Sequence, residues 1–160
     1  MGGIFSLFGL LLAFATIKQS FANLLPETIV EIDHLPVHAG DTVRITIHQP
    51  GPIRIKSISA NLVCEIVTRK AIRNQKSGKE KWAYVSSFPC QQNIFRTGPA
   101  DVSSGGAFDY AAEFTVPANS APTSGQDERR VIWRIELWGK VEGGADFMNP
   151  YTIEVSGTGK

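Results

Sequence analysis

Little in this sequence is built for chemistry. Among 160 residues there are two cysteines and three histidines, and no G-x-S-x-G, P-loop, H-E-x-x-H or C-x-x-C pattern occurs. Those absences remove the usual signatures of a nucleophile elbow, a phosphate cradle, a zinc protease and a redox dithiol motif. Two cysteines alone make neither a four-thiolate zinc site nor a disulfide-dense scaffold. Charge of one sign is also missing. Sixteen Lys and Arg face fifteen Asp and Glu, a net charge of +1, so no global field recruits nucleic acid. Charged residues make up 19% and hydrophobic residues 42%, which excludes both a disordered chain and a polytopic membrane protein. No repeat period suggests a solenoid, and no long helical periodicity follows residue 26.

What is present begins with an uncharged N-terminus. Residues 1–17 (MGGIFSLFGLLLAFATI) carry no charged side chain, and Lys18 is the first. As a helix this stretch rises about 25 Å at ~1.5 Å per residue, just short of a ~30 Å hydrocarbon core. Extension to Leu25 closes the gap if Lys18 snorkels to the interface. A core helix fits poorly, because the stretch is apolar on every face. A secretory signal peptide is the competing reading, with Ser20 and Ala22 as the small residues before a cut preceding Asn23. Its n-region has no Lys or Arg, which a signal peptide normally carries. The first expectation is therefore an uncleaved single-pass anchor over residues 1–25, followed by a domain over 26–160.

From residue 27 the pattern becomes period-two alternation broken by turn residues. A first strand is expected over 27–33, with Val30 and Ile32 on one face, before Leu35-Pro36 and a turn at Ala39-Gly40-Asp41. Residues 42–48 set Val43, Ile45 and Ile47 against Arg44, Thr46 and His48, and Gln49-Pro50-Gly51-Pro52 is a strong stop. In 53–68, Ile58, Ala60, Leu62, Cys64 and Ile66 share one parity. A polar, basic loop is expected over 69–81, closing a hairpin to a strand over 82–88. Further strands are expected over 107–116 (Phe108, Tyr110, Ala112, Phe114, Val116), over 131–141 (Trp133, Ile135, Leu137), and through Tyr151, Ile153 and Val155. The longer links, 98–106 and 118–129, read as surface loops with little packing energy. Seven or eight strands at this spacing predict an all-β, antiparallel β-sandwich after one N-terminal hydrophobic helix.

Candidate chemistry is sparse. His34 and His38 stand four apart, but Pro36 between them forbids the helical alignment of two ligands, and Asp41 or Cys64 are only nominal third partners. No metal is expected. Glu65, Glu113, Glu136 and Asp109 fall at polar parities and read as solvent-facing sheet charges rather than an acid–base pair. Cys64 alternates with core residues and reads as a buried free thiol. It would pair with Cys90 only if the strand register brought their Cα atoms to disulfide distance. The one local charge feature is 69–81 (RKAIRNQKSGKEK), where Arg69, Lys70, Arg73, Lys76, Lys79 and Lys81 meet only Glu80. That local +5 leaves −4 for the remaining chain. The plainest reading is a hairpin tip kept soluble by charge. The functional reading is contact with an anionic surface, with Trp82 at headgroup level. Nucleic acid is disfavoured, because no interleaved aromatics offer stacking platforms.

The C-terminal half carries a recognisable order: Phe114-Thr115-Val116-Pro117, then Ala121-Pro122-Thr123-Ser124, Ile132-Trp133-Arg134-Ile135-Glu136, Gly144-Ala145-Asp146-Phe147 and Tyr151-Thr152-Ile153-Glu154-Val155. Upstream, Leu62-Val63-Cys64-Glu65, the basic segment and Trp82 agree with it, as does the run from Gly3-Ile4-Phe5 to Gly9-Leu10-Leu11. The chain resembles bacterial membrane proteins of unknown function in which transmembrane helices precede an arrestin-like β-sandwich. The earlier membrane helix of that pattern has no counterpart here. The resemblance implies an arrestin-like or immunoglobulin-like sandwich at a membrane and no established reaction. Physical roles follow for three residues: Pro117 ends an edge strand, Trp133 fills the space between sheets, and Asp146 caps the turn before the last strand through an Asx bond.

The expected function is a membrane-anchored, non-catalytic binding or scaffold module without cofactor, metal, nucleic acid or small-molecule substrate. Its partners would be the bilayer, through residues 1–25, and a protein met by strand edges or loops. The alternative is an exported sandwich released by cleavage after Ala22, with Cys64 and Cys90 oxidised.

Overall fold

Over residues 42–50 and 131–141 burial follows the alternation read from the sequence, whereas 82–88, expected to alternate, is exposed at nearly every position. The computed structural model describes residues 27–73, 78 and 80–157. The anchor or signal peptide expected over 1–25, and with it the cut after Ala22, lies outside the described residues. Eleven strands run in order: β1 (Ile29–Ile32), β2 (Val37–His38), β3 (Thr42–Pro50), β4 (Ile53–Arg73), β5 (Glu80–Thr97), β6 (Ala100–Val102), β7 (Ala107–Thr115), β8 (Ser124–Gly125), β9 (Arg129–Val141), β10 (Phe147–Ile153) and β11 (Val155–Ser156). Among the described residues no helix is long and apolar enough to cross a membrane.

Two sheets face each other. One holds β1-β3-β7, and the other holds β10-β9-β4-β5, with β6 on β4 and β8 on β9. Val43, Ile45 and Ile47 of β3 pack from one side, and Ile58, Ala60, Leu62, Cys64, Trp133, Ile135 and Leu137 from the other, all buried. Burying each large side chain of this set contributes roughly 1.5–3 kcal/mol, so the shared face holds the sheets together. Trp133 fills the core as expected, and its Nε1–H donates to the Ala121 carbonyl at 2.8 Å. A polar tie joins the sheets at one end: the Tyr151 hydroxyl on β10 donates to the Thr28 carbonyl at 2.7 Å. The buried Thr28 hydroxyl in turn bonds the Gln49 side chain.

Several expectations are corrected. Among the described residues the strands number eleven rather than seven or eight, because β2, β6, β8 and β11 are two or three residues long. Pairing is not wholly antiparallel, since β11 runs parallel to β2 with Val155 opposite Val37. The link 98–106 contains β6, which pairs with the start of β4 and buries Val102. The link 118–129 contains β8 and supplies Ala121 to the core edge. Neither is a bare surface loop. The Ile55/Ser57 register shift against β9 also flips parity within β4. Ile53 and Ile55 therefore face inward together with Ile58 and Ala60. Asp146 caps its turn from the far side: its carboxylate accepts the Val141 N–H at 3.3 Å rather than closing an Asx turn onto the next strand. Pro117 follows β7, an edge of its sheet, as expected.

Candidate functional site

The basic segment is not a loop. β4 continues to Arg73 and β5 begins at Glu80, so most of 69–81 forms the paired arms of one long hairpin. Cross-strand partners run Thr68–Val85, Arg69–Tyr84, Lys70–Ala83, Ala71–Trp82, Ile72–Lys81 and Arg73–Glu80. On its other edge β4 pairs with β9 only as far as Thr68–Arg129. Beyond that point the sheet narrows to a two-stranded ribbon. Residues 69–73 and 80–82 are exposed at both parities, which for a strand means that neither face is covered.

Alternation sorts the side chains of this arm. Arg69, Ala71 and Arg73 share a face with Glu80, Trp82 and Tyr84, while Lys70 and Ile72 share the opposite face with Lys81, Ala83 and Val85. The structure therefore brings Arg69, Arg73 and Trp82 together and sets Lys70 and Lys81 behind them. Lys76 and Lys79 lie outside the described residues. The Arg69 guanidinium sits over the Trp82 ring, 4.9 Å from its centroid, a cation–π contact that holds the indole against the ribbon. Trp82 and Tyr84 are each 60% exposed. Tyr84 and Ile72 join the arm only through this pairing, which the sequence does not signal. Reading 69–73 as a strand opposite 80–84 would have placed Tyr84 beside Arg69.

Below the arm, the outer face of the large sheet carries an ion cluster. Arg134 donates from Nη1 to Glu65 at 2.6 Å and from Nε to Glu136 at 2.8 Å, and the Ser86 hydroxyl donates to Glu65 at 2.6 Å. The Arg134, Glu65 and Glu136 side chains are only 17–19% exposed, so Glu65 and Glu136 are not the free solvent-facing charges expected. The Ser86 and Arg134 bonds hold the Glu65 carboxyl below its ordinary range. Asp109 meets His48 at 2.6 Å, and Glu113 is exposed on β7.

His34 and His38 do converge, through the turn rather than a helix. His34 Nε2 lies 3.6 Å and His38 Nδ1 3.3 Å from the same Asp41 oxygen, which also accepts the His38 backbone N–H at 2.8 Å. That backbone bond is the largest cause lowering the Asp41 pKa. Asp41 thus acts as a turn cap, and Cys64 is far off in the core of the other sheet. Among the described residues no group of three or more His, Cys, Asp or Glu is arranged to hold a metal ion.

No family model matches this chain, and no curated protein does. Among solved structures, it is similar to Spo0M, a sporulation control protein from Bacillus subtilis, with a TM-score of 0.52 and 20% identity. The match covers 82% of this chain and 50% of that one, so the chain spans half the length of Spo0M. The fold is an arrestin-like β-sandwich. In that sandwich the basic and aromatic hairpin extends the larger sheet past the point where β9 stops.

Proposed function

We propose that this chain is a non-catalytic binding module, an arrestin-like sandwich held at a membrane by residues 1–25, whose β4–β5 arm lies on an anionic lipid surface. The observation that carries the reading is the arm itself. Arg69, Arg73, Trp82 and Tyr84 share one face of a ribbon exposed on both sides. Each basic residue near an anionic surface contributes ~1 kcal/mol, and Trp and Tyr rings settle at headgroup level. Lys70 and Lys81 on the reverse face add to the local field without touching the same plane. A protein partner would find the free edge of β5, which ends its sheet and exposes unpaired backbone groups.

The test is co-sedimentation of residues 26–160 with vesicles, comparing phosphatidylserine-containing with pure phosphatidylcholine bilayers. Binding should require the anionic lipid and fall as salt rises. Reversing Arg69 and Arg73 to Glu should weaken it at least about tenfold, because two contacts of ~1 kcal/mol are lost. Equal sedimentation with both lipids, or no effect of the double reversal, would remove the arm from the proposal.

A further inference from the structure

The hairpin register sets the two cysteines opposite each other: Cys64 of β4 and Cys90 of β5 are Cα partners in an antiparallel ladder. Directly opposed residues of such strands stand ~4.5 or ~5.5 Å apart at Cα, depending on whether the pair is hydrogen-bonded. Both values fall inside the ~4.4–6.8 Å window of a disulfide, and paired side chains leave the same face of the sheet. Immediately beyond the pair the ladder shifts register, with Phe88 and Pro89 opposing Glu65 alone. Such a bulge gives the strands local freedom to adjust.

A cleft of about 300 Å³ adjoins the pair, lined by Cys64, Cys90, Pro89, Pro117, Ser120 and Trp133. The Ser120 hydroxyl in its wall is buried and has no hydrogen-bond partner among the described residues. Cys90 is half-buried and Cys64 is 1% exposed, so a reagent entering the cleft meets Cys90 first.

We propose that Cys64 and Cys90 form a dithiol site that exchanges with low-molecular-weight disulfides of the glutathione class to close a cross-strand disulfide. The Cys90 thiolate attacks one sulfur of the small disulfide. A Cys90–S–S–R bond forms, the original S–S bond breaks, and one R–S⁻ leaves and takes up a proton. The Cys64 thiolate then attacks the Cys90 sulfur, and the second R–S⁻ departs and is protonated. Two electrons pass from the cysteines to the small disulfide, and their two protons end on two R–SH molecules. Burial pushes both thiols up, Cys64 to about 11 with Cys90 as a further cause, so exchange is slow at neutral pH and quickens as pH rises. The product ties β4 to β5 at the root of the arm. The proposal is independent of lipid binding.

The test uses the full chain, reduced, desalted and incubated with oxidised glutathione over a range of alkaline pH, then quenched by alkylation. Intact mass should fall by two hydrogens with no glutathione retained, and a non-reducing peptide map should join the Cys64 and Cys90 peptides. The rate should rise about tenfold per pH unit below the thiol pKa. The Cys64→Ser variant should instead stop at a glutathione adduct on Cys90; if it does not fold, the intact chain still decides. A stable glutathione adduct on the intact chain, disulfide-linked dimers, or two thiols that remain alkylatable throughout would each overturn the proposal.

Discussion

At Gly139 an added Cβ would lie 2.1 Å from the Phe147 ring, which covers this glycine from its cross-strand partner position on β10. Gly139→Ala must therefore push the aromatic off its site. A cost of about 1–3 kcal/mol is expected, seen as a lower denaturant midpoint at unchanged slope. In a Phe147→Ala background the same change should cost less, because the two substitutions share one contact. Glu65 makes a prediction of a different kind. Its folded pKa is lowered by Ser86 and Arg134, so the stability it contributes is present above the ordinary value of 4.5. That contribution is lost as pH falls through the depressed folded value. Glu65→Gln should cost about 1–2 kcal/mol at pH 7 and flatten the acid limb of a melting-temperature profile. An unchanged acid limb would mean that the cluster contributes nothing measurable.

Elements were legible where one face is dry. Val131, Trp133, Ile135, Leu137, Gly139 and Val141 are buried along β9 at every second residue, and all but the glycine show that alternation directly in the sequence. The arm of β4–β5 was not legible, for a physical reason. Its two faces are both wet, so Arg69, Lys70 and Lys81 sit in a strand without any hydrophobic period. Strand pairing there is specified by backbone hydrogen bonds and by cross-strand neighbours such as Arg69 and Tyr84, which hydropathy does not record. Of the basic and aromatic candidates, Arg69, Arg73 and Trp82 were gathered on one face by the same pairing. A ribbon of two strands is marginal by itself, and this one is continuous with a sheet at Thr68. The vesicle measurement reads this element alone: substitutions at its exposed residues 69–73 should change the salt dependence of binding while leaving the denaturation midpoint in place.

For the whole molecule, the sandwich class was legible and its closure was not. Two-residue strands such as β2 and β11 exist because a partner more than a hundred residues away meets them, and nothing local marks Val37 or Val155 as paired. The tether proposed for residues 1–25 is tested on the full chain with a C-terminal tag, expressed in a bacterium. Full-length mass in a carbonate-resistant membrane fraction is the expected result. Loss of residues 1–22 with release into a soluble envelope fraction would replace the tether by a signal peptide. The position of β9 has a consequence for synthesis. It lies between β4 and β10 and supplies the whole free edge of β4 from Ile55 to Thr68, yet it is among the last strands to be made. A ribosome halted before residue 129 would hold a finished β4–β5 hairpin whose β4 edge is open as well as its β5 edge, with no central strand to close it. The nascent chain must shield the β4 edge from its neighbours until β9 emerges.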